Sequence, residues 1–409
     1  MNLIGKFQFV FLSAVLTLIS FLLHLYSGFT TMINGGEHSV SNTALSETII
    51  LHAEHPVFSR RKITTGLIET ISEFLNLDLG WSFVFVNFSF LFLSGLGVYQ
   101  LSSLITKNRS ASLFSLLIYF FCFSNIFAFF PPVYTYDEPI QYSFIFLSLI
   151  LFFKRKIWAF VFTFSLTLLV RETAIILLPG LFYYFVYDNQ NRWKSEISYL
   201  KIIKNSLALL LPVLVYGLYL YTFFYDSSRA ESSKEYFILR FSRIGFNFST
   251  SEVIIETIGS FLIIYLIPVY LLILALGSDY YDAKMQKFSK AFLLSFCLNT
   301  VVVLLLTRVR ELRLLVLPLF FLWPILGVAL EKELSIVLQK QNYLEIFSKL
   351  KPIFLFVILS LINSVLSFNI YRVTIGPEIG LFNLYLFISL EMILLHSIMK
   401  YYLAKRILT

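Results

Sequence analysis

Long hydrophobic runs alternate with short charged clusters along almost the whole chain. A helix that crosses a bilayer needs about 20 mostly apolar residues. The runs predict spans at roughly 7–31, 81–106, 111–131, 139–153, 157–170, 174–187, 206–225, 253–277, 291–307, 314–330, 352–371 and 381–400. The basic clusters order them. Lys6, Lys107 with Arg109, Lys154–Lys156, Arg192 to Lys204, Lys284 to Lys290, Lys332 to Lys351, and Lys400 to Arg406 all fall on one face if 157–187 crosses twice. Basic residues favour the cytoplasmic side. The expectation is twelve spans with both termini cytoplasmic.

This order sends residues 33–80, 131–138 and 226–252 to the outer side. The 226–252 loop carries Arg229, Lys234, Arg240 and Arg243 against the charge rule, partly offset by Glu231, Glu235 and Glu252. The 33–80 loop has its own pattern. Apolar positions 44, 45, 49, 50 and 53, and again 63, 67, 68, 71, 74, 75 and 77, recur at helical spacing. Two amphipathic helices on the outer surface are predicted, separated near Pro56.

Composition agrees with a membrane chain. Of 409 residues 58% are hydrophobic and only 14% charged, with mean hydropathy +0.80. Soluble domains average about 25% charged. The net charge of +8 therefore reports basic cytoplasmic loops and anionic lipid rather than nucleic acid. Cys122 and Cys297 both lie in apolar runs, so neither a disulfide framework nor a metal spacing arises. The fold class is an all-α polytopic membrane protein. Residues 1–330 read as one module including the outer loop, and 331–409 as C-terminal helices. The Phe- and Ile-rich composition points to a bacterial inner membrane.

The stretch "FFPPVYTYDEPIQYSF" places Asp137 and Glu138 between uncharged runs. Ionised groups are costly there, so such residues are functional candidates. Glu37, His55, Arg60, Arg61, Arg171, Glu172, Arg308, Arg310, Glu311 and Arg313 also fall at outer ends of spans. A shared outward-facing cavity of mixed charge would explain them. Each has a plain structural alternative. Pro139 after two acids suits a helix start. Arg171–Glu172 suits a buried pair, and the arginines suit interfacial snorkelling. His52 and His55 stand at i, i+3 spacing, but Pro56 follows and no third metal ligand is evident. His24 and His396 lie inside spans and are expected to be satisfied by neighbouring helices. Mid-span charges are nearly absent. Glu256 and Glu391 are the exceptions, and both are placed near span ends.

The order of these motifs resembles the GT-C class of membrane glycosyltransferases, which includes the dolichyl-phosphate-mannose-dependent mannosyltransferases. "GGEH" and "HAEHPVFSRR" resemble its acidic residue after span one and its outer loop. "YTYDEPIQYSFIFLSLILFF" resembles its Asp-x-Pro turn into span four. "WAFVFTFSLTLLVRETAIILLPGLFYYF" resembles its paired short helices, and "RVRELRLLVLPLFFLWPILGVAL" its later Arg-rich turn. Together they touch most of 30–330. The class usually carries Asp at the first site, whereas this chain has Glu37 after Gly35-Gly36.

The resemblance implies transfer of a sugar from a polyprenyl-phosphate donor to a lipid, glycan or protein acceptor on the outer face. That chemistry needs a base, cations for the leaving phosphate and sometimes a divalent ion. Glu37, Asp137 and Glu138 are the candidate catalytic carboxylates. His55, Arg60, Arg61, Arg171, Glu172, Arg308, Arg310 and Arg313 are the candidate substrate-binding residues. Asp137 and Glu138 would supply oxygen ligands if Mg or Mn takes part. A flippase or transporter, a polymerase of lipid-linked glycans, and a non-catalytic scaffold remain alternatives. The oligomeric state stays open.

Overall fold

In the computed structural model all regular elements are helical, and no strand occurs among the described residues. Those residues are 3–407 apart from 27, 29, 56–57, 132, 191–198, 226–237, 239–240, 242–243, 338 and 371–378. Pro56, Arg192, Lys194, Arg229, Glu231, Lys234, Glu235, Arg240 and Arg243 lie outside them.

The helices are α1 Leu3–Tyr26, α2 Asn42–Glu54, α3 Lys62–Leu75, α4 Leu79–Thr106, α5 Arg109–Phe121, α6 Phe123–Ile126, α7 Glu138–Phe153 and α8 Ile157–Val170. They continue as α9 Leu178–Gln190, α10 Tyr199–Phe223, α11 Ser251–Leu276, α12 Ala283–Leu306, α13 Trp323–Val337, α14 Lys340–Phe347, α15 Leu350–Ile370 and α16 Ile379–Ile407. Seven are long and apolar enough to cross a membrane: α1, α4, α10, α11, α12, α15 and α16. The stretches Arg109–Phe121, Glu138–Phe153, Ile157–Val170 and Glu172–Tyr184 are apolar but shorter. The 16 residues of α7 rise only about 24 Å, against about 30 Å of hydrocarbon.

Three predicted spans are broken helices; one of them, 174–187, starts in the 3-10 turn Glu172–Leu177 and is α-helical only from Leu178. The run 111–131 stops being helical at Cys122, whose φ of −59° and ψ of 132° are extended. The Asn125 amide donates to the Tyr119 carbonyl at 2.6 Å and closes the end of α5. The apolar residues that follow, Phe129, Phe130, Val133 and Tyr136, form a buried loop rather than a helix. The run 314–330 begins as two 3-10 turns, Leu312–Leu315 and Leu317–Phe321, and is α-helical only from Trp323. Pro318 and Pro324 each remove a backbone donor there.

The outer-loop prediction matches the backbone closely. Ser41 caps α2 by accepting from the Ala44 N–H, and α3 ends on left-handed Asn76. α3 buries Thr64, Thr65 and Ile68.

Contacts between helix ends show that consecutive long helices run in alternating directions. At one end Arg109 donates to Gln8, Asn108 to Glu331 and Lys400 to Glu333. At the other, Met32 N–H donates to Phe129, Tyr219 to Arg60 and Asn247 to Thr307. Met32, Arg60, Phe129 and Asn247, at or beside the stretches predicted for the outer side, make contacts of this second end. Between the ends lies an aromatic core. Trp323 meets Tyr119 at 4.8 Å and Phe320 at 5.0 Å, and Phe146 meets Phe320 at 4.7 Å.

His24 is satisfied as expected: Nδ1 bonds the Ser20 carbonyl, and Nε2 accepts from the Phe129 N–H. The placement of Glu391 is corrected. It lies near the middle of α16 and accepts from Ser360 and Asn363 of α15, both at 2.8 Å. The predicted run 381–400 already has Glu391 at its centre, and the 29-residue helix keeps it there.

α13 packs against α5 through Gly327, where a Cβ would overlap the Ala111 carbonyl and Ser115. Small residues let membrane helices approach this closely. Gly327→Ala is expected to cost about 1–3 kcal/mol through overpacking. Gly217→Ala on α10, where a Cβ meets nothing within 4 Å, should leave the thermal midpoint of the detergent-solubilised protein unchanged or raised.

Candidate functional site

Four separate parts of the chain bring charges to the start of α7. Asp137 and Glu138 are 0% and 2% exposed there. The Tyr136 backbone N–H donates to Glu138 Oε2 at 2.9 Å. Glu138 Oε1 accepts from Arg171 Nη1 and lies 3.4 Å from Arg313 Nε. Arg171 is set by its own backbone: its carbonyl accepts from the Gln141 amide at 3.0 Å. Arg313 donates to the Tyr134 carbonyl and reaches Glu311 at 3.5 Å.

A second half of the cluster comes from the outer loop. Arg61 grips Glu172 with both arms of its fork, Nε to Oε2 at 3.0 Å and Nη2 to Oε1 at 2.6 Å. Arg60 adds a third donor to the same Oε1 at 2.7 Å. The remaining arm of Arg61 reaches Asp137 Oδ2 at 3.5 Å. Glu172, Arg60 and Arg313 are partly exposed, with side chains at 27%, 21% and 16%. The cluster therefore has a buried floor and an open rim.

Asp137 is the exception within it. Its Oδ1 is buried and has no hydrogen-bond partner. Burial pushes its carboxyl up to about 6, against the opposing pull of Arg61, Arg171 and the nearby Thr64 hydroxyl, and Glu138 beside it adds to the rise. Taking a carboxylate from water costs more than partial pairing returns. A buried acceptor without a donor costs about 1–3 kcal/mol. A buried acid shifted in this way marks a candidate functional position.

An aromatic stack fixes the loop that carries Asp137. Phe58, His52 and Tyr136 lie almost parallel, with centroids 4.5 Å and 3.6 Å apart. The Tyr136 and Thr65 hydroxyls meet at 3.1 Å. Burial, then Arg61, lower the His52 pKa to about 3, so the ring is neutral. The Arg61 guanidinium sits 5.7 Å from the Phe58 ring centre.

The structure thus brings together Asp137, Glu138, Arg60, Arg61, Arg171, Glu172 and Arg313. His55 stays at the edge, 4.8 Å from the Phe58 ring. Three other sequence candidates lie outside the network. Glu37 is exposed in the turn after α1. Arg308 stacks over Phe246 at 4.6 Å, and the electrostatic partner of Arg310 is Glu256. Arg308, Arg310 and Arg313 sit on a tight turn, so neighbours in sequence face different ways. Sequence reasoning missed Tyr136, Thr65 and Gln141. Gln141 had a signal: it follows Glu138 by three residues, on the same face of α7.

A divalent ion does not fit this donor set. No group of three or more His, Cys, Asp or Glu side chains gathers among the described residues. Both oxygens of Glu138 are engaged, and the guanidinium groups around Asp137 repel a cation. Both cysteines are free thiols.

No protein-family profile, no curated protein and no solved structure matches the chain.

Glu138 depends on Arg171. Arg171→Met should destabilise the protein by about 3–5 kcal/mol, because it leaves a buried charge without its main partner. Adding Glu138→Gln should restore much of that loss. Denaturation of the two variants in detergent, read by tryptophan fluorescence, checks the coupling.

Proposed function

We propose that this chain is an enzyme embedded in the membrane, acting at the charged end of its helix bundle. Its particular reading is a GT-C-type glycosyltransferase. It would move a sugar from a polyprenyl-phosphate donor to an acceptor hydroxyl on the outer face of a bacterial inner membrane. The twelve crossings and cytoplasmic termini predicted from the charges belong to this reading.

The observation that carries it is Asp137 Oδ1, buried and unpartnered among guanidinium groups. In the proposed step Asp137 takes the proton of the acceptor hydroxyl. The hydroxyl oxygen attacks the anomeric carbon from the face opposite the phosphate. The carbon–oxygen bond to phosphate breaks, and its electron pair leaves with the phosphate. Arg60 and Arg61 receive that charge from the rim, since guanidinium forks match phosphate oxygens. Glu138 stays ionised between Arg171 and Arg313 and holds the loop in place. Configuration inverts at the sugar.

Glu37 has no part in this step. Its exposure and its absence from the network favour Asp137 as the base.

One observation favours a different class. Glu391 is a mid-helix carboxylate, and such residues mark transport paths. Its partners are Ser360 and Asn363, however, and it shares none with the cluster.

Transfer from a radiolabelled undecaprenyl-phosphate sugar in proteoliposomes tests the reading. Asp137→Asn should lower the rate by about 10²–10⁴-fold, and Glu37→Gln should stay near wild type. A base works only when deprotonated, so the rate should fall as pH drops through about 6. Loss of activity in Glu37→Gln with Asp137→Asn intact would reverse the assignment.

A further inference from the structure

Glu172 has no role in the proton transfer, yet it takes the best-formed contacts in the cluster. We propose that its carboxylate occupies an anion site built by Arg60 and Arg61, and that a phosphate monoester binds by displacing it. This rests on the glycosyltransferase reading, in which the monoester is the lipid phosphate left once the sugar has been transferred, and it adds to that reading a residue that competes for the phosphate site.

The geometry is that of an anion cradle. Three N–H donors from two guanidinium groups converge on two oxygens, at 2.6, 2.7 and 3.0 Å. A phosphate monoester presents three oxygens at similar spacing. One donor is left for the third: Arg60 Nε is buried and has no hydrogen-bond partner. The site also opens α3, where no side chain caps the first turn. A helix start favours an anion.

The cradle is anchored, while its occupant sits on a short turn. The Arg60 carbonyl accepts from Tyr219 at 2.6 Å, which ties the loop to α10. Glu172 starts a six-residue 3-10 turn, Glu172–Leu177. Such a turn shifts more easily than a long helix. With its side chain 27% exposed, Glu172 is reachable from outside, whereas Asp137 is not. Displacement has a consequence for Asp137. Arg61 holds both Glu172 and Asp137, so a phosphate on its fork arrives beside the carboxyl assigned as base.

The test uses the full chain in nanodiscs with two probes, undecaprenyl phosphate and inorganic phosphate. Glu172→Gln should bind undecaprenyl phosphate at least about tenfold tighter than wild type, the size expected when a charge-assisted competitor is removed. Arg60→Gln should bind it more weakly. Equal or weaker binding by Glu172→Gln, with wild type binding normally, overturns the displacement proposal and leaves the glycosyltransferase reading standing. No lipid binding by any form overturns both. A gain with inorganic phosphate alone keeps the anion site and removes the lipid as its source. Should Glu172→Gln lack a cooperative thermal transition, Glu172→Asp decides. Its shorter side chain cannot span both guanidinium groups, so it should also bind tighter, and unchanged affinity overturns the proposal.

Discussion

Two adjacent carboxylates buried at the edge of a membrane-spanning bundle cannot both be kept at low cost. Everything at this end of the molecule follows from that constraint. Glu138 is held by Arg171, by Arg313 and by a backbone N–H. Those contacts draw the end of α8 and the turn after α12 to the start of α7. Asp137 receives a long contact from Arg61 and lies beside the Thr64 hydroxyl, while its Oδ1 makes no full hydrogen bond. One carboxylate organises the fold, and the other is held by far weaker contacts. Environments that separate two neighbouring acids are how active sites divide labour.

Access adds a second layer. Asp137 and Glu138 are almost fully buried, while Arg60, Glu172 and Arg313 reach the surface. From the surface, Arg60 and Arg313 come before Asp137. The contacts that join the α2–α3 segment to the start of α7 include the Arg61–Asp137 pair, the Thr65–Tyr136 hydroxyl contact and the stack of His52 on Tyr136. Ion pairs open more readily to a competing anion than packed aromatic rings do to solvent. The neutral state of His52 keeps the stack free of charge repulsion from Arg61.

Much of this was legible in the sequence because membranes impose simple rules. Hydropathy located the long helices, and lysine and arginine placement told which ends belong together. Amphipathic spacing located α2 and α3 nearly to the residue. The convergence of Arg60-Arg61, Asp137-Glu138, Arg171-Glu172 and Arg313 followed from putting all odd charges at one end. Hydropathy could not separate a span from a buried apolar loop, so Cys122 and the proline-rich start of α13 were missed. It also could not orient side chains on a tight turn. Arg308 and Arg310 look like Arg313 in sequence, yet a turn sends them to Phe246 and Glu256. Glu37 was placed by analogy with a family pattern, and no contact in the network supports it. Tyr136 was hidden for the opposite reason: an aromatic beside an acid is common, and only stacking on His52 gives it a role.

The central claim is that the ion cluster around Asp137 is a site for a phosphate-linked sugar. A cryo-electron microscopy structure of the protein in nanodiscs with an undecaprenyl-phosphate sugar tests it most directly. The account predicts phosphate density between Arg60 and Arg61, with the anomeric carbon facing Asp137 Oδ1. A lipid bound elsewhere, with the Arg61–Glu172 and Arg171–Glu138 pairs unchanged, would contradict it and make the cluster a structural clamp.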